Sequence, residues 1–330
     1  MTSAPFHQFL WSCRVPTMPD CVTGQISRRT FLAGAAAALA TPMLQGADSV
    51  KLDGYVDAHS HIWTDDVVKY PLVDNQPASN LIPRTFTADE LLAIARPVGV
   101  SRVVLIQHKP YFGVDNSYLA DVMAAYPGVF SGVACVAAEK PNPDAEMVRL
   151  KKQGFRGFRI RPGEGAAEKW IDSPGINAMW ATAAKENLAI CPLIGAEDIA
   201  QVVEMCGKYP DTTVVVDHLA RVGMTGDFPE PDVQRLLGLA KRPKVHVKVS
   251  AFYFLGKKKP PYRDLVPLIR RVYDAFGASR LMWGSDCPYQ LGGGNNYPAS
   301  VELIEKGLDF LSAPDRESLL KGTATKVFFS

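Results

Sequence analysis

From about residue 53 onward, short apolar runs alternate with segments of helical period, and no Pro/Gly/Ser-rich linker divides them. The strand-like runs are Tyr55–His61, Arg102–Gln107, Phe130–Val136, Gly154–Arg161, Leu188–Ile194, Thr213–His218, Val245–Ser250 and Leu281–Asp286. Between them lie helical patterns at Ala88–Arg96, Asn116–Ala125, Ala145–Lys152, Gly175–Glu186, Ile199–Lys208, Val233–Ala240 and Tyr262–Phe276, with a last one near Ser300–Leu311. Strands joined through helices run parallel in one sheet. Eight such units over roughly 280 residues suit a (β/α)8 barrel. A doubly wound sheet fits less well, because no G-x-G-x-x-G turn follows the first run. The expected fold class is therefore α/β, a (β/α)8 TIM barrel spanning 48–330, with its chemistry at the carboxyl ends of the strands.

Residues 1–47 read differently. Ser27-Arg28-Arg29-Thr30-Phe31-Leu32 precedes an Ala-rich apolar stretch from Leu32 to Leu44, then Gln45-Gly46-Ala47. A paired arginine, a short and weakly hydrophobic segment and small residues make an export signal similar to the twin-arginine type. That predicts an exported, periplasmic protein. The apolar stretch is too short for a comfortable membrane span.

Charge and cysteine content exclude several classes. Lys plus Arg number 36 against 34 Asp plus Glu, so no nucleic-acid-binding balance is present. The one basic run, Lys257-Lys258-Lys259 before Pro260-Pro261, reads as a solvated loop. The six cysteines form no C-x-x-C, which points to neither a zinc knuckle nor a disulfide framework.

Polar groups gather where a barrel would place its mouth. In Asp57-Ala58-His59-Ser60-His61 the period of two puts His59 and His61 on one face, with Asp57 below them. Two imidazoles there can grip one divalent metal ion or an oxyanion-bearing substrate. Asp286 ends the eighth run, where a carboxylate can bind a metal or accept a proton from water, or simply cap a turn. His218 ends the sixth run. In the seventh, three valines take one face and leave Lys248 pointing inward, where it needs an anionic partner in protein or substrate. Arg159 and Arg161 share a face with Gly157, either to hold a substrate carboxylate or lactone oxygens or to pair with Glu164 or Asp172. Gln107 and His108 close the second run within reach of substrate. The fifth run supplies neither histidine nor carboxylate.

Taken together, these motifs resemble the amidohydrolase superfamily, in its amidohydrolase-2 branch of sugar lactonases and pyrone-dicarboxylate lactonases. The likeness rests on Asp57-Ala58-His59-Ser60-His61-Ile62-Trp63, Asp115-Asn116-Ser117-Tyr118-Leu119, Gly154–Arg161, Asp217-His218 and Gly284-Ser285-Asp286-Cys287-Pro288, where Cys287 replaces the branch's tryptophan. The resemblance implies a TIM barrel of metal-dependent hydrolase type, in which His59, His61 and Asp286 surround the reacting centre. Relatives with two metals also use a fifth-strand histidine. Its lack implies one divalent ion (zinc or manganese), or metal-free catalysis, with His218 in attendance.

The expected activity is hydrolysis of a lactone or related cyclic ester, with Asp286 and His218 as catalytic residues. Arg159, Arg161, Lys248, Gln107 and His108 would bind a small-molecule substrate such as a lactone or sugar acid. The alternatives are a decarboxylase of the same branch acting on an unsaturated acid, and an exported sugar-acid-binding protein without turnover.

Overall fold

A parallel β-strand needs a neighbour on each side, and here every strand finds them by sequence order. The computed structural model describes residues 52–165 and 167–330; the expected export signal, 1–47, lies outside them. Among the described residues β1 (Tyr55–Ser60), β2 (Val100–Ile106), β3 (Phe130–Cys135), β4 (Phe155–Ile160), β5 (Ala189–Pro192), β6 (Thr213–Val216), β7 (Val245–Ser250) and β8 (Leu281–Gly284) form one parallel sheet in the order β1 to β8. The seam between β8 and β1 is joined just past the strands. The Asp286 amide donates to the His59 carbonyl at 2.8 Å, and the His61 amide to the Cys287 carbonyl at 2.7 Å. The result is a nearly closed (β/α)8 barrel.

The alternation of each strand sorts its side chains into two layers. Val245, Val247 and Val249 of β7 and Phe158 and Ile160 of β4 face the outer layer, where the helices cover them. Inside, Val56, Ala58, Val104, Ile106, Val133, Ala189, Cys191, Val215 and Met282 pack with Ala324 and Phe328. The last two belong to a C-terminal helix, Thr323–Phe328, that the sequence pattern did not announce. Gly157 makes room for it: a Cβ there would lie 3.0 Å from Cys191 Sγ and 3.2 Å from Phe328 Cε1.

The helices follow the expected periods with shifts at their ends. Ile199–Lys208 matches its pattern, Asn116 is the residue before Ser117–Ala125, and Ala88–Ala95 begins with a reciprocal cap between Thr87 and Glu90. The eighth helical pattern is met by a short helix, Tyr297–Glu302, followed by a wider turn at Leu303–Gly307. Among the described residues no helix is long and apolar enough to cross a membrane.

One expectation about β1 is overturned. Asp57 pairs with Val103 but Ser60 pairs with Leu105, so β1 spends one residue more than β2 over the same interval. Such a bulge flips the alternation. Asp57 therefore does not share a face with His59 and His61. It accepts hydrogen bonds from Tyr297 Oη (2.7 Å), Ser285 Oγ (2.6 Å), the Ser285 amide (2.8 Å) and the His59 amide (3.0 Å). Burial pushes its carboxyl up to about 6, against those four donors. Asp57 is thus the clamp of the β1–β8 seam.

Asp57→Asn would turn an amide N–H₂ toward these donors and leave at least one of them unsatisfied. The expected outcome is a loss of about 1–3 kcal/mol, read as a lower midpoint in urea unfolding. An unchanged midpoint would show that the seam does not depend on the clamp.

Candidate active site

The polar side chains at the carboxyl ends of the strands meet in one buried cluster. His59 and His61 come from β1 and its exit, Arg159 from β4, Asp217 and His218 from the residues after β6, Lys248 and Ser250 from β7, and Asp286 from the turn after β8. Several are held in left-handed backbone conformations. His218, Leu219, Ala220 and Arg221 have φ of 52°, 52°, 50° and 57°, a turn of left-handed helix, and Asp286 has φ 60°. For non-glycine residues that costs roughly 1–2 kcal/mol each. Strain of this kind is retained where side-chain placement demands it. It also explains why β6 and β8 stop at Val216 and Gly284, short of the expected His218 and Asp286.

At the bottom of the cluster sits Asp217, fully buried, its amide bonded to the Pro192 carbonyl. Arg159 Nη2 donates to its Oδ2 at 2.8 Å, and Lys248 Nζ lies 3.0 Å from its Oδ1. Burial opposes ionisation of Asp217, but the Lys248 and Arg159 charges outweigh it and hold the carboxyl well below the usual range. Lys248 is fully buried beneath His59, with Nζ 3.2 Å from His59 Nδ1 and 5.5 Å from the Phe328 ring centroid. Its anionic partner is therefore Asp217, and the expectation that Lys248 binds substrate is corrected. Arg159 likewise pairs with Asp217 and not with Glu164 or Asp172, because Glu164 is taken by Lys109.

Above this base, three imidazole Nε2 atoms converge on one carboxylate. His59 Nε2 and His61 Nε2 lie 3.5 and 3.4 Å from Asp286 Oδ1, and His218 Nε2 lies 3.7 Å from Oδ2. Hydrogen bonds on the far sides assign the tautomers of His61 and His218. His61 Nδ1 meets the Ile106 carbonyl at 2.8 Å, which can only accept, so the proton is on Nδ1 and Nε2 is bare. His218 Nδ1 meets Ser250 Oγ at 2.8 Å, and that hydroxyl donates onward to the Lys248 carbonyl. His59 Nδ1 lies between Lys248 Nζ at 3.2 Å and Asp217 Oδ1 at 3.3 Å, and its Nε2 faces Arg159 Nη2 at 3.0 Å. Burial lowers the proton affinity of all three rings, His59 well below its usual value and His218 to about 4. Burial would raise Asp286, but its interactions with His218, His61 and His59 outweigh that and hold the carboxyl well below the usual range.

Lone pairs aimed at lone pairs call for a cation between them. Neutral nitrogens and a carboxylate are zinc-type donors, and ligand atoms bonded at roughly 2.0–2.1 Å to one tetrahedral ion stand about 3.4 Å apart. The donor atoms of His59, His218 and Asp286 all lie within 4.8 Å of one another. The cluster fits one divalent ion, with His61 at its edge and Arg159 as the competing positive group on His59. The inward positions of β5 are Ala189 and Cys191, so the fifth strand adds neither a histidine nor a carboxylate for a second ion.

The remaining expected residues line the rim or the wall. His108 Nε2 bonds Tyr289 Oη, and its ring packs 5.1 Å from Trp63 and 4.1 Å from Tyr111. Gln107 Nε2 donates to the Asp115 carbonyl, which ties it to the following loop. Arg161 and Arg221 are part-buried and make no ion pair among the described residues; burial and the Arg159 charge lower the proton affinity of both. Asp217, Ser250, Arg221 and Tyr253 were not anticipated as site residues. Asp217 had a signal, a carboxylate beside a candidate histidine after a Val-rich run. Tyr253, whose Oη donates to Asp286 Oδ2 at 2.8 Å, lies in a loop with no such pattern.

Comparison with known proteins agrees with this geometry. The amidohydrolase family model matches residues 56–329. The chain belongs to the amidohydrolase family. It is 28% identical over 270 residues to L-fucono-1,5-lactonase of Burkholderia ambifaria, covering 81% of this chain and 92% of that one. It is 24% identical over 279 residues to 4-sulfomuconolactone hydrolase of Hydrogenophaga intermedia, covering 83% and 88%. An amidohydrolase from Burkholderia multivorans, solved with bound zinc, shares the fold with a TM-score of 0.69 at 21% identity, over 83% of this chain and 99% of that one.

The working state needs three neutral imidazoles and an ionised Asp286. Because His218 takes a proton only at about 4, kcat/KM should stay level as pH falls and be lost through about 4, with no inflection at 6.5. An acid limb at 6.5, measured across a pH series, would contradict the buried neutral cluster.

Proposed function

We propose that this amidohydrolase hydrolyses a lactone that carries an anionic substituent. The observation that carries the reading is the convergence of His59, His61 and His218 on Asp286 at the barrel mouth. The lactone-hydrolysing names of the two relatives above support it.

Asp286 is the general base. Tyr253 holds one carboxylate oxygen, Oδ2, leaving Oδ1 to take a proton from the attacking water. The water oxygen bonds to the ester carbonyl carbon, and the carbonyl becomes an oxyanion. When the ring C–O bond breaks, the proton held by Asp286 passes to the leaving alkoxide and a hydroxy acid results. His59, His218 and Asp286, with His61, would hold one divalent ion, zinc or manganese, which when bound supplies a Lewis acid for the carbonyl. Arg159 adds positive charge beside the same carbonyl, anchored by Asp217.

The anionic substituent is inferred from Arg161 and Arg221. Two part-buried guanidinium groups without carboxylate partners are costly in a free protein and well used by a bound carboxylate or sulfonate. Export through the twin-arginine route to the periplasm belongs to the same proposal, supported by Ser27-Arg28-Arg29-Thr30-Phe31-Leu32.

Asp286→Asn keeps the shape and a residue that tolerates a left-handed backbone, so the fold should persist while kcat drops by about 10²–10⁴-fold. Elemental analysis of wild type should find one equivalent of divalent metal, depleted in this variant. Near-wild-type turnover would remove Asp286 from the chemistry. For the substituent, Arg221→Gln should raise KM for carboxylate-bearing lactones about tenfold or more and leave neutral sugar lactones unchanged. Equal effects on both would refute the anionic reading.

A further inference from the structure

The barrel has a second concave feature at the opposite end from Asp286. The residues leading into β5, β6, β7 and β8, together with the end of the C-terminal helix, border an open cavity of about 640 Å³. That lies in the range of small-molecule sites, roughly 300–1,000 Å³. Lys244, His246, Arg280 and Lys326 line it, with Thr213 and Ser279 as hydroxyl donors, and no Asp or Glu side chain does.

No Asp or Glu side chain faces the cationic groups there, and Ser330 is the last of the lining residues. Lys244, Arg280 and Lys326 form no ion pair among the described residues. Arg280 is locked in place by backbone carbonyls: Nε donates to Phe276 at 3.0 Å, and Nη1 to Ala240 at 3.0 Å and Arg242 at 3.1 Å. Carbonyls fix the direction of a guanidinium without cancelling its charge. His246 Nδ1 is held by the Lys244 carbonyl at 3.2 Å. Lys244 and Lys326 are exposed and Arg280 is part-buried, and like charges placed around one concavity focus a positive potential on its centre. An oxyanion with several acceptors answers that potential, and a fixed Arg with flanking Lys and hydroxyls is the donor set that recognises phosphate.

We propose that the floor of the barrel binds a phosphorylated small molecule, with Lys244, Arg280 and Lys326 holding the phosphate and the rest of the cavity holding the body of the ligand. The volume exceeds that of a bare phosphate, which favours a ligand the size of a sugar phosphate. The site is distinct from the mouth. It lies beneath Lys248: His246 and Lys248 share a face of β7, and Lys326 precedes by two residues the Phe328 ring that underlies Lys248.

The test is calorimetric titration of the purified full chain, in phosphate-free buffer of low ionic strength, with glucose 6-phosphate, inorganic phosphate and glucose. Glucose 6-phosphate should bind at a saturable site, inorganic phosphate more weakly, and glucose not at all. The double variant Lys244→Gln/Lys326→Gln should weaken glucose 6-phosphate at least tenfold while lactone hydrolysis and the thermal midpoint stay as in wild type. The Arg161→Gln/Arg221→Gln variant, altered only at the mouth, should bind it as wild type does. No saturable binding to wild type, or undiminished binding to the Lys244/Lys326 variant, would overturn the proposal.

Discussion

Asp217 is a carboxylate without access to water, and the arrangement of the site depends on how its charge is met. Arg159 from β4, Lys248 from β7 and His59 from β1 all reach it. Two positive and two negative side chains, counting Asp286, balance within the cluster, which is the condition under which buried charge is tolerated. Loss of one partner from such a network commonly costs about 3–5 kcal/mol, because a charge is left uncompensated. The network does more than pair charges. By occupying Nδ1 of His59 and placing Arg159 on its Nε2 side, it decides which face of the imidazole meets the reacting centre.

Two mechanical devices keep the cluster in register. The bulge in β1 turns His59 and His61 inward and sends Asp57 to the outer layer, where it clamps Ser285 and Tyr297. The left-handed backbone at His218 and Asp286 then brings the ends of the sixth and eighth strands toward the centre. Both sacrifice local regularity to place polar groups, and the apolar interior from Val56 to Phe328 supplies the stability that tolerates them.

Much of the site could be read locally. His59, His61, His218 and Asp286 each end an apolar run, and the termini of parallel strands in a closed barrel converge whatever the detail of the loops. The inward direction of Lys248 followed from the valines on the opposite face. What it meets there did not, since Asp217 and His59 are 31 and 189 residues away in sequence. Arg159 was open between substrate and protein for the same reason, and its partner was neither of the nearby acids. Tyr253 carries no pattern that separates it from an ordinary loop aromatic.

The sequence by itself determined the number and order of strands, the face of each side chain in a regular strand, and the family, because these depend on periodicity and short motifs within a few residues. Only the tertiary structure decided the reversal of Asp57, the burial of Lys248, the tautomers of His61 and His218 and the depression at the barrel floor with Lys244, Arg280 and Lys326. Each of these is set by contacts between residues far apart in the chain, such as Asp57 with Ser285 across 228 positions. No local pattern encodes such a distance; closure of the barrel brings them together.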